Sequence, residues 1–320
     1  GTGAREGKAT LPMAALPVGE NGVKAVLPFF QWTEAVRRGH EMSATTDGIK
    51  GADKLGSDMK FIWNYGSNAL INQHADSNRT HSLLQDESKA EMIVVIDNFM
   101  TASAKYADIL LPDVTGAEQM DLIKQGSSGN LGYAILADKV IEPMYDCKPL
   151  YEILTGIAKE LGIEEKFTEG RTQEEWVKFL VDESRKEIPE LPSFEEFRKQ
   201  GIFRQKLESL IPLKEFREDP AANPLETPSG KIEIYSSVVA DMARTWTIAE
   251  GDKITPIPEF VETWEMPGDP LQAKYPLQAI GHHYMGRTHS SYGNVKELQA
   301  MHPQVAVSYT HLRAHETEAD

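Results

Sequence analysis

The sequence predicts an α/β protein built on a doubly wound parallel sheet, followed by a helical segment and a β-rich domain. Three observations carry that prediction. Short apolar runs at Phe61–Tyr65, Ile93–Ile96 and Ile109–Leu111 are each closed by a turn signal or a proline. The middle run is unbroken and β-branched, which suits a strand covered on both faces. A helical stretch separates the first two runs and a short segment, residues 100–107, separates the last two. That is the spacing of strand–helix–strand units.

The elements follow in chain order. Residues 1–58 are rich in Gly, Pro and polar side chains, with an apolar island at Ala25–Trp32 and one helix expected near Thr33–Arg38. From Lys60, KFIWNY reads as a buried strand entering the turn signal GSN. A helix is expected over Asn78–Gln85, then the strand EMIVVID, then the strand DILLP, stopped by Pro112. YAILADKV, residues 133–140, is a fourth candidate strand.

Residues 149–220 read as helical. Leu150, Ile153, Leu154, Ile157, Ala158 and Leu161 recur at helical spacing between Pro149 and Gly162. Thr172 with Glu175, and Ser193 with Glu196, match the capping box, in which each side chain satisfies the other residue's backbone N–H. The Pro-rich stretch 219–230 marks a domain boundary. After it KIEIY alternates apolar and polar residues, as a half-buried strand does, and PLQAIGHHY is a further strand candidate. The expected organisation is therefore residues 1–148, 149–220 and 221–307. Residues 308–320, SYTHLRAHETEAD, read as a non-native tail that leaves the last domain incomplete.

Composition excludes several classes. A net charge of −16 argues against broad nucleic-acid binding, which needs Lys and Arg to neutralise phosphates. No apolar run approaches the roughly 18 residues of a membrane-spanning helix. The N-terminus lacks both Met and a basic-then-apolar signal, so a leader is expected to have been removed or the chain to begin inside a longer gene. The single cysteine, Cys147, can build neither a disulfide framework, a zinc knot nor an iron–sulfur cluster, and reads as a bystander.

Two constellations carry chemistry. The first is Gly66-Ser67-Asn68 after one strand and Asp97-Asn98 after the next. In open α/β sheets ligands sit outside the carboxyl ends of strands. Gly66 lets backbone approach a ligand closely, Asn68 offers donor and acceptor together, and Asp97 can accept from ribose hydroxyls or a guanine edge. The competing reading is a plain turn and a helix cap. The second constellation is GHHYMGRTHSSYGN, residues 281–294, with His282, His283, Arg287, His289, Ser290 and Asn294. Metal binding by the histidines, a His–Ser nucleophile pair, a polar surface loop and a donor set for an anionic heterocycle all compete there. Arg287 could clamp a phosphate or a pterin carbonyl. Neither GxGxxG nor a phosphate-binding GxxxxGK[ST] occurs, which disfavours an ordinary NAD dehydrogenase.

In order, KFIWNYGSNALINQHADSNRTHSLLQ, EMIVVIDNFMTASAKYADILLPDVTGAEQMD, TPSGKIEIYS and GHHYMGRTHSSYGN resemble the C-terminal half of the catalytic subunit in the dimethyl sulfoxide reductase branch of the molybdopterin oxidoreductase family, over about residues 15–307. The resemblance implies a Rossmann-like sheet followed by a truncated β-barrel of double-psi type. It implies molybdenum held between two molybdopterin guanine dinucleotides. Gly66, Ser67 and Asn68 would lie near one dinucleotide, Asp97 would contact its nucleotide end with Asn98 and Thr101 close by, and Asp108 would be structural. Arg287, His289, Ser290 and Asn294 would face pterin. No catalytic side chain and no metal ligand is expected in this stretch; the molybdenum ligand and a [4Fe-4S] cluster belong to the missing N-terminal half. The resemblance further implies reduction of S-oxides or N-oxides by oxygen-atom transfer, an iron–sulfur electron-transfer subunit, a membrane-anchor subunit, and export in folded form to the periplasmic face of the cytoplasmic membrane. The alternative is a non-catalytic nucleotide- or pterin-binding assembly module.

Overall fold

The computed structural model describes residues 10–124, 132–208, 210–262, 266–277, 284–288 and 291–302. These fall into two compact units, Gly1–Glu259 and Phe260–Asp320.

The first unit opens with α1 (Trp32–Arg38) and α2 (Ala44–Asp47). The parallel sheet follows: β1 (Phe61–Tyr65), α3 (Ala69–Asn72), α4 (Ser77–Gln85), β2 (Met92–Asp97) and β3 (Ile109–Pro112). Strand order is β1-β2-β3, all parallel, with Tyr65 opposite Ile96 and Asp97 opposite Pro112. The parallel sheet is as expected. Its strand order contains no reversal among the described residues. β2 is buried on both faces, from Ile93 to Ile96, so its unbroken apolar run needs no alternation. On one face Ile93 and Val95 pack with Val36, Leu70, Leu84 and Ala104, drawn from α1, α3, α4 and the loop before β3.

A second sheet is antiparallel: β4 (Asp121–Lys124), β5 (Tyr133–Ala137) and β6 (Ile202–Arg204), in that order. YAILADKV is thus a strand, but it belongs here and not to the parallel sheet. Between β5 and β6 come α5 (Leu150–Glu160), α6 (Glu164–Thr168), α7 (Gln173–Glu187) and α8 (Phe194–Gln200). Both capping boxes form as expected, on Thr172 and Ser193. The stretch read as wholly helical therefore contains a strand, β6, which owes its conformation to pairing with Tyr133–Ile135. The core of this part packs Leu136, Val177, Val181, Leu191, Phe194 and Phe197 together. Two short helices complete the unit, α9 (Lys214–Glu218) and α10 (Ser237–Thr245).

KIEIY is not a strand. Residues 231–235 form bends held by local bonds, with the Thr227 hydroxyl donating to the Lys231 carbonyl at 2.6 Å and the Ser229 N–H to Glu233 at 2.9 Å. Ile234 is 75% exposed. Alternation supplies a face to bury, but among the described residues no strand runs beside it. In the second unit the described residues hold α11 (Lys296–Met301), a short 3-10 turn at Pro270–Ala273 and a reciprocal bridge between Thr288 and Ser291, and no strand. PLQAIGHHY falls mostly outside the described residues, as does 308–320. No described helix is long and apolar enough to cross a membrane.

One ion-pair cluster ties α1 to α4. Glu34 accepts from Arg37 at 2.5 Å, from Arg38 at 2.6 Å and from Arg79, while Arg38 also donates to Asp47 at 2.6 Å. Partial burial raises the Glu34 pKa, but the hydrogen bonds from Arg37 and Arg38 and the nearby guanidinium charges outweigh it and bring the carboxyl down from 4.5 to about 2. A depressed acid stabilises the fold above its unfolded pKa, and that contribution is lost as pH falls through the folded value. Glu34→Gln should therefore cost about 1–2 kcal/mol at pH 7, after discounting for solvent screening. The gap to wild type should close between pH 4.5 and about 2. Urea titrations at a series of pH values check this.

Candidate functional site

The carboxyl ends of β1, β2 and β3 share one edge of the parallel sheet. β1 runs straight into Gly66, whose N–H donates to the Ile96 carbonyl at 2.9 Å. Gly66 sits at φ +54°, a left-handed conformation that glycine adopts without steric cost. A Cβ built there would meet nothing within 4 Å, so the space above the turn is open. The buried Asn64 side chain holds the turn from below, donating to the Ser67 carbonyl at 2.7 Å. The Ser67 hydroxyl accepts from the Ala69 N–H at 3.2 Å.

Asn68 joins this turn to the loop after β2. Its Oδ1 accepts from the Ser103 N–H at 2.9 Å, and the buried Ser103 hydroxyl accepts from the Ile71 N–H at 3.4 Å. Within that loop Asp97 Oδ1 accepts from the Phe99 N–H at 3.1 Å, and the Thr101 hydroxyl accepts from the Ala104 N–H at 3.1 Å. Asn98 is exposed. Gly66, Ser67, Asn68, Asp97, Asn98 and Thr101 are therefore brought together on two cross-linked strand-end loops. Asp108 is tied elsewhere. It accepts from the Ile93 N–H at 2.7 Å through its side chain, and its own N–H donates to the Ile93 carbonyl at 2.9 Å. It pins the start of β3 to β2.

Electrostatics add two residues that sequence reasoning passed over. Asp113 follows β3 and is buried. Desolvation raises its carboxyl above the usual range, against hydrogen bonds from the Val114 and Leu150 N–H groups, and the Asp97 charge pushes the same way. Tyr65, at the end of β1, is held above an ordinary phenol pKa by partial burial, then by the carboxylates of Asp113, Asp121 and Asp97. The edge is thus rimmed by acceptors. A polar or ionisable residue at the end of each apolar run was the available signal for both.

In the second unit, the Arg287 N–H donates to the Tyr284 carbonyl at 3.4 Å, and Thr288 and Ser291 exchange backbone bonds at 3.2 and 2.9 Å. The guanidinium-bearing Arg287 and Asn294 are both exposed. His289 and Ser290, like His282 and His283, lie outside the described residues. Among the described residues no group of three metal-ligating side chains occurs, and Cys147 is a half-buried free thiol.

Comparison with known proteins supplies the class. Residues 5–160 match the family model described as molybdopterin oxidoreductase, and over that stretch the chain is a molybdopterin oxidoreductase domain. Particular relatives narrow the comparison. The chain is 54% identical over 305 residues to dimethyl sulfoxide reductase DmsA of Haemophilus influenzae, covering 95% of this chain and 38% of that protein. It is 55% identical over 301 residues to dimethyl sulfoxide reductase DmsA of Escherichia coli, covering 93% and 37%. A more distant relative is the dimethyl sulfoxide/trimethylamine N-oxide reductase of Cereibacter sphaeroides, 35% identical over 250 residues, covering 76% and 29%. The chain thus spans less than two fifths of the DmsA proteins it matches. Among solved structures, acetylene hydratase from Pelobacter acetylenicus shares the fold, with a TM-score of 0.54 at 23% identity, over 79% of this chain and 32% of that one.

Proposed function

We propose that this chain is the part of a molybdenum oxidoreductase that holds one arm of a bis-molybdopterin guanine dinucleotide cofactor, in an enzyme that reduces S-oxides or N-oxides such as dimethyl sulfoxide. One observation carries the reading. The open turn at Gly66 and the carboxylate of Asp97 are fastened side by side, through Asn68 and Ser103, at the carboxyl edge of a parallel sheet, where open α/β sheets ordinarily take ligands.

The chemistry of the edge selects which part of the dinucleotide it suits. Asp97, Asp113 and Asp121 make a rim that would repel a pyrophosphate, while the donor edge of guanine and the ribose hydroxyls find acceptors there. Asp97 Oδ1 is shared with the Phe99 N–H. Oδ2 has no hydrogen bond within the described structure and would take a guanine or ribose donor. Gly66 leaves room for the nucleotide to approach the backbone, and Asn98 and Thr101 flank it. Bound molybdenum supplies the oxygen-atom transfer; the residues of this chain bind and orient. Arg287, His289, Ser290 and Asn294 belong to the same proposal as pterin-facing donors, on a second domain of double-psi barrel type. Domain limits at 148, 220 and 307, a [4Fe-4S] cluster with its partner and anchor subunits, and a periplasmic location stand with it, on the resemblance to the reductases.

The complete gene product, purified from anaerobic cells, is expected to reduce dimethyl sulfoxide with a reduced viologen dye. This 320-residue polypeptide is expected to show no turnover, because side chains that ligate the metal lie outside it. Turnover by the short polypeptide contradicts the division of labour. A loaded complete product without turnover on any S-oxide or N-oxide favours the assembly-module reading.

A further inference from the structure

A cavity of about 380 Å³ lies between α1 and α4, and none of its lining belongs to the strand-end loops. Three cations line it: Arg37 of α1, Arg79 of α4 and Lys89, which precedes β2. That grouping runs against a net charge of −16 for the chain. Glu34 holds the two guanidiniums together, since one carboxylate oxygen accepts from Arg37 Nη2 and the other from Arg79 Nη2. A guanidinium carries five N–H donors. Nη1 of both arginines and Nε of Arg79 make no hydrogen bond among the described residues. Lys89 Nζ gives one bond, to the Arg37 carbonyl at 3.1 Å. Two carboxylates also line the cavity, and each is engaged in its own turn. Asp76 Oδ1 caps α4 by accepting from the Arg79 N–H at 3.1 Å. Asp86 Oδ1 accepts from the Ser88 N–H at 3.0 Å and the Ser88 hydroxyl at 2.6 Å. His74, in the same wall, carries a buried Nε2 without a hydrogen-bond partner, the one such side-chain atom among the described residues. Buried polar atoms are nearly always bonded, so an orphaned ring nitrogen marks a place for a partner.

We infer that this cleft between α1 and α4 binds a small oxyanion of the phosphate class. Arginine's planar fork matches two phosphate oxygens at once, and a lysine adds a point charge. Glu34 orients both guanidiniums without using their remaining donors. His74, in the tautomer protonated on Nε2, adds a neutral donor at the wall. The volume is at the lower end of small-molecule sites, with room for a phosphate on a short organic tail. The oxyanion is the chemistry common to a bare and a tailed ligand. This inference uses no residue of the cofactor site and stands apart from the cofactor reading.

Isothermal titration calorimetry on the complete gene product tests it, with inorganic phosphate and glycerol 3-phosphate as the two probes. At low salt at least one should bind with a Kd below about 1 mM. A bare oxyanion as ligand predicts equal binding of the two, and a tailed one predicts tighter binding of glycerol 3-phosphate. Lys89→Met should weaken the binding by at least about tenfold, the worth of a hydrogen bond from a charged donor, and His74→Phe by about 2- to 10-fold. Both variants leave the Glu34 ion pairs in place, so their urea midpoints should stay close to that of the wild type. Lys89→Arg should restore binding. Lys178→Met, at an exposed position of α7, should leave it unchanged. Failure of both probes to bind overturns the inference, as does binding indifferent to Lys89→Met. Equal weakening by Lys178→Met overturns it too, because the attraction would then be to overall charge. So does binding by this 320-residue chain that is absent from the complete product, which would show the cleft covered by other polypeptide.

Discussion

Phe197→Ala is expected to destabilise this chain by about 3–5 kcal/mol, the usual cost of deleting a large aromatic from a packed core. Phe197 is fully buried and, among the described residues, is the largest of the completely buried side chains. It lies on α8 among Leu136 of β5, Val177 and Val181 of α7, and Leu191 and Phe194. Since folded domains are stable by only about 5–15 kcal/mol, the loss would consume a large share of the margin. Urea unfolding followed by circular dichroism should show a lower midpoint at an unchanged slope. Ile234→Ala is the matched control: at 75% exposure it should shift stability by no more than about 0.5 kcal/mol. A large effect at Ile234 would mean that KIEIY is packed after all.

Asp97→Ala is expected to weaken retention of guanine nucleotide by the complete protein by about 10- to 150-fold, the worth of a hydrogen bond to a charged acceptor. Asp97→Asn separates the structural from the binding role. Its carbonyl can still accept from the Phe99 N–H, so the turn and the fold should survive. Its amide presents a donor where the ligand also donates, so nucleotide retention should still fall. The readout is guanosine monophosphate released by acid hydrolysis after gel filtration, normalised to protein. Full retention in both variants would show that residue 97 serves the turn only.

Which parts of this molecule were legible in the sequence follows from how local each determinant is. α7 and α8 were legible because their signals are local: a capping residue, its acidic partner three positions on, and an apolar face after it. β2 was legible because burial on both faces writes itself as Ile93-Val94-Val95-Ile96. β6 was not, since three residues, Ile202–Arg204, carry no period and become a strand only by lying beside β5. KIEIY shows the converse, an alternating pattern with no strand beside it among the described residues. The same division runs through the candidate site. Gly66–Asn68 and Asp97 could be placed at strand ends from turn chemistry alone. That Asn68 bonds the Ser103 N–H, that Asn64 holds Ser67 and that Tyr65 and Asp113 share one rim are contacts across 3 to 48 positions of sequence, which no local pattern encodes.

Molybdenum and guanosine monophosphate measured together on the complete wild-type gene product test the central proposal most directly. Binding of the dinucleotide cofactor at this edge requires both in the purified protein, at about two guanine nucleotides for each metal, and a selective loss of nucleotide on changing Asp97. A folded, metal-bearing protein without guanine nucleotide, or one whose nucleotide is indifferent to Asp97, would contradict it.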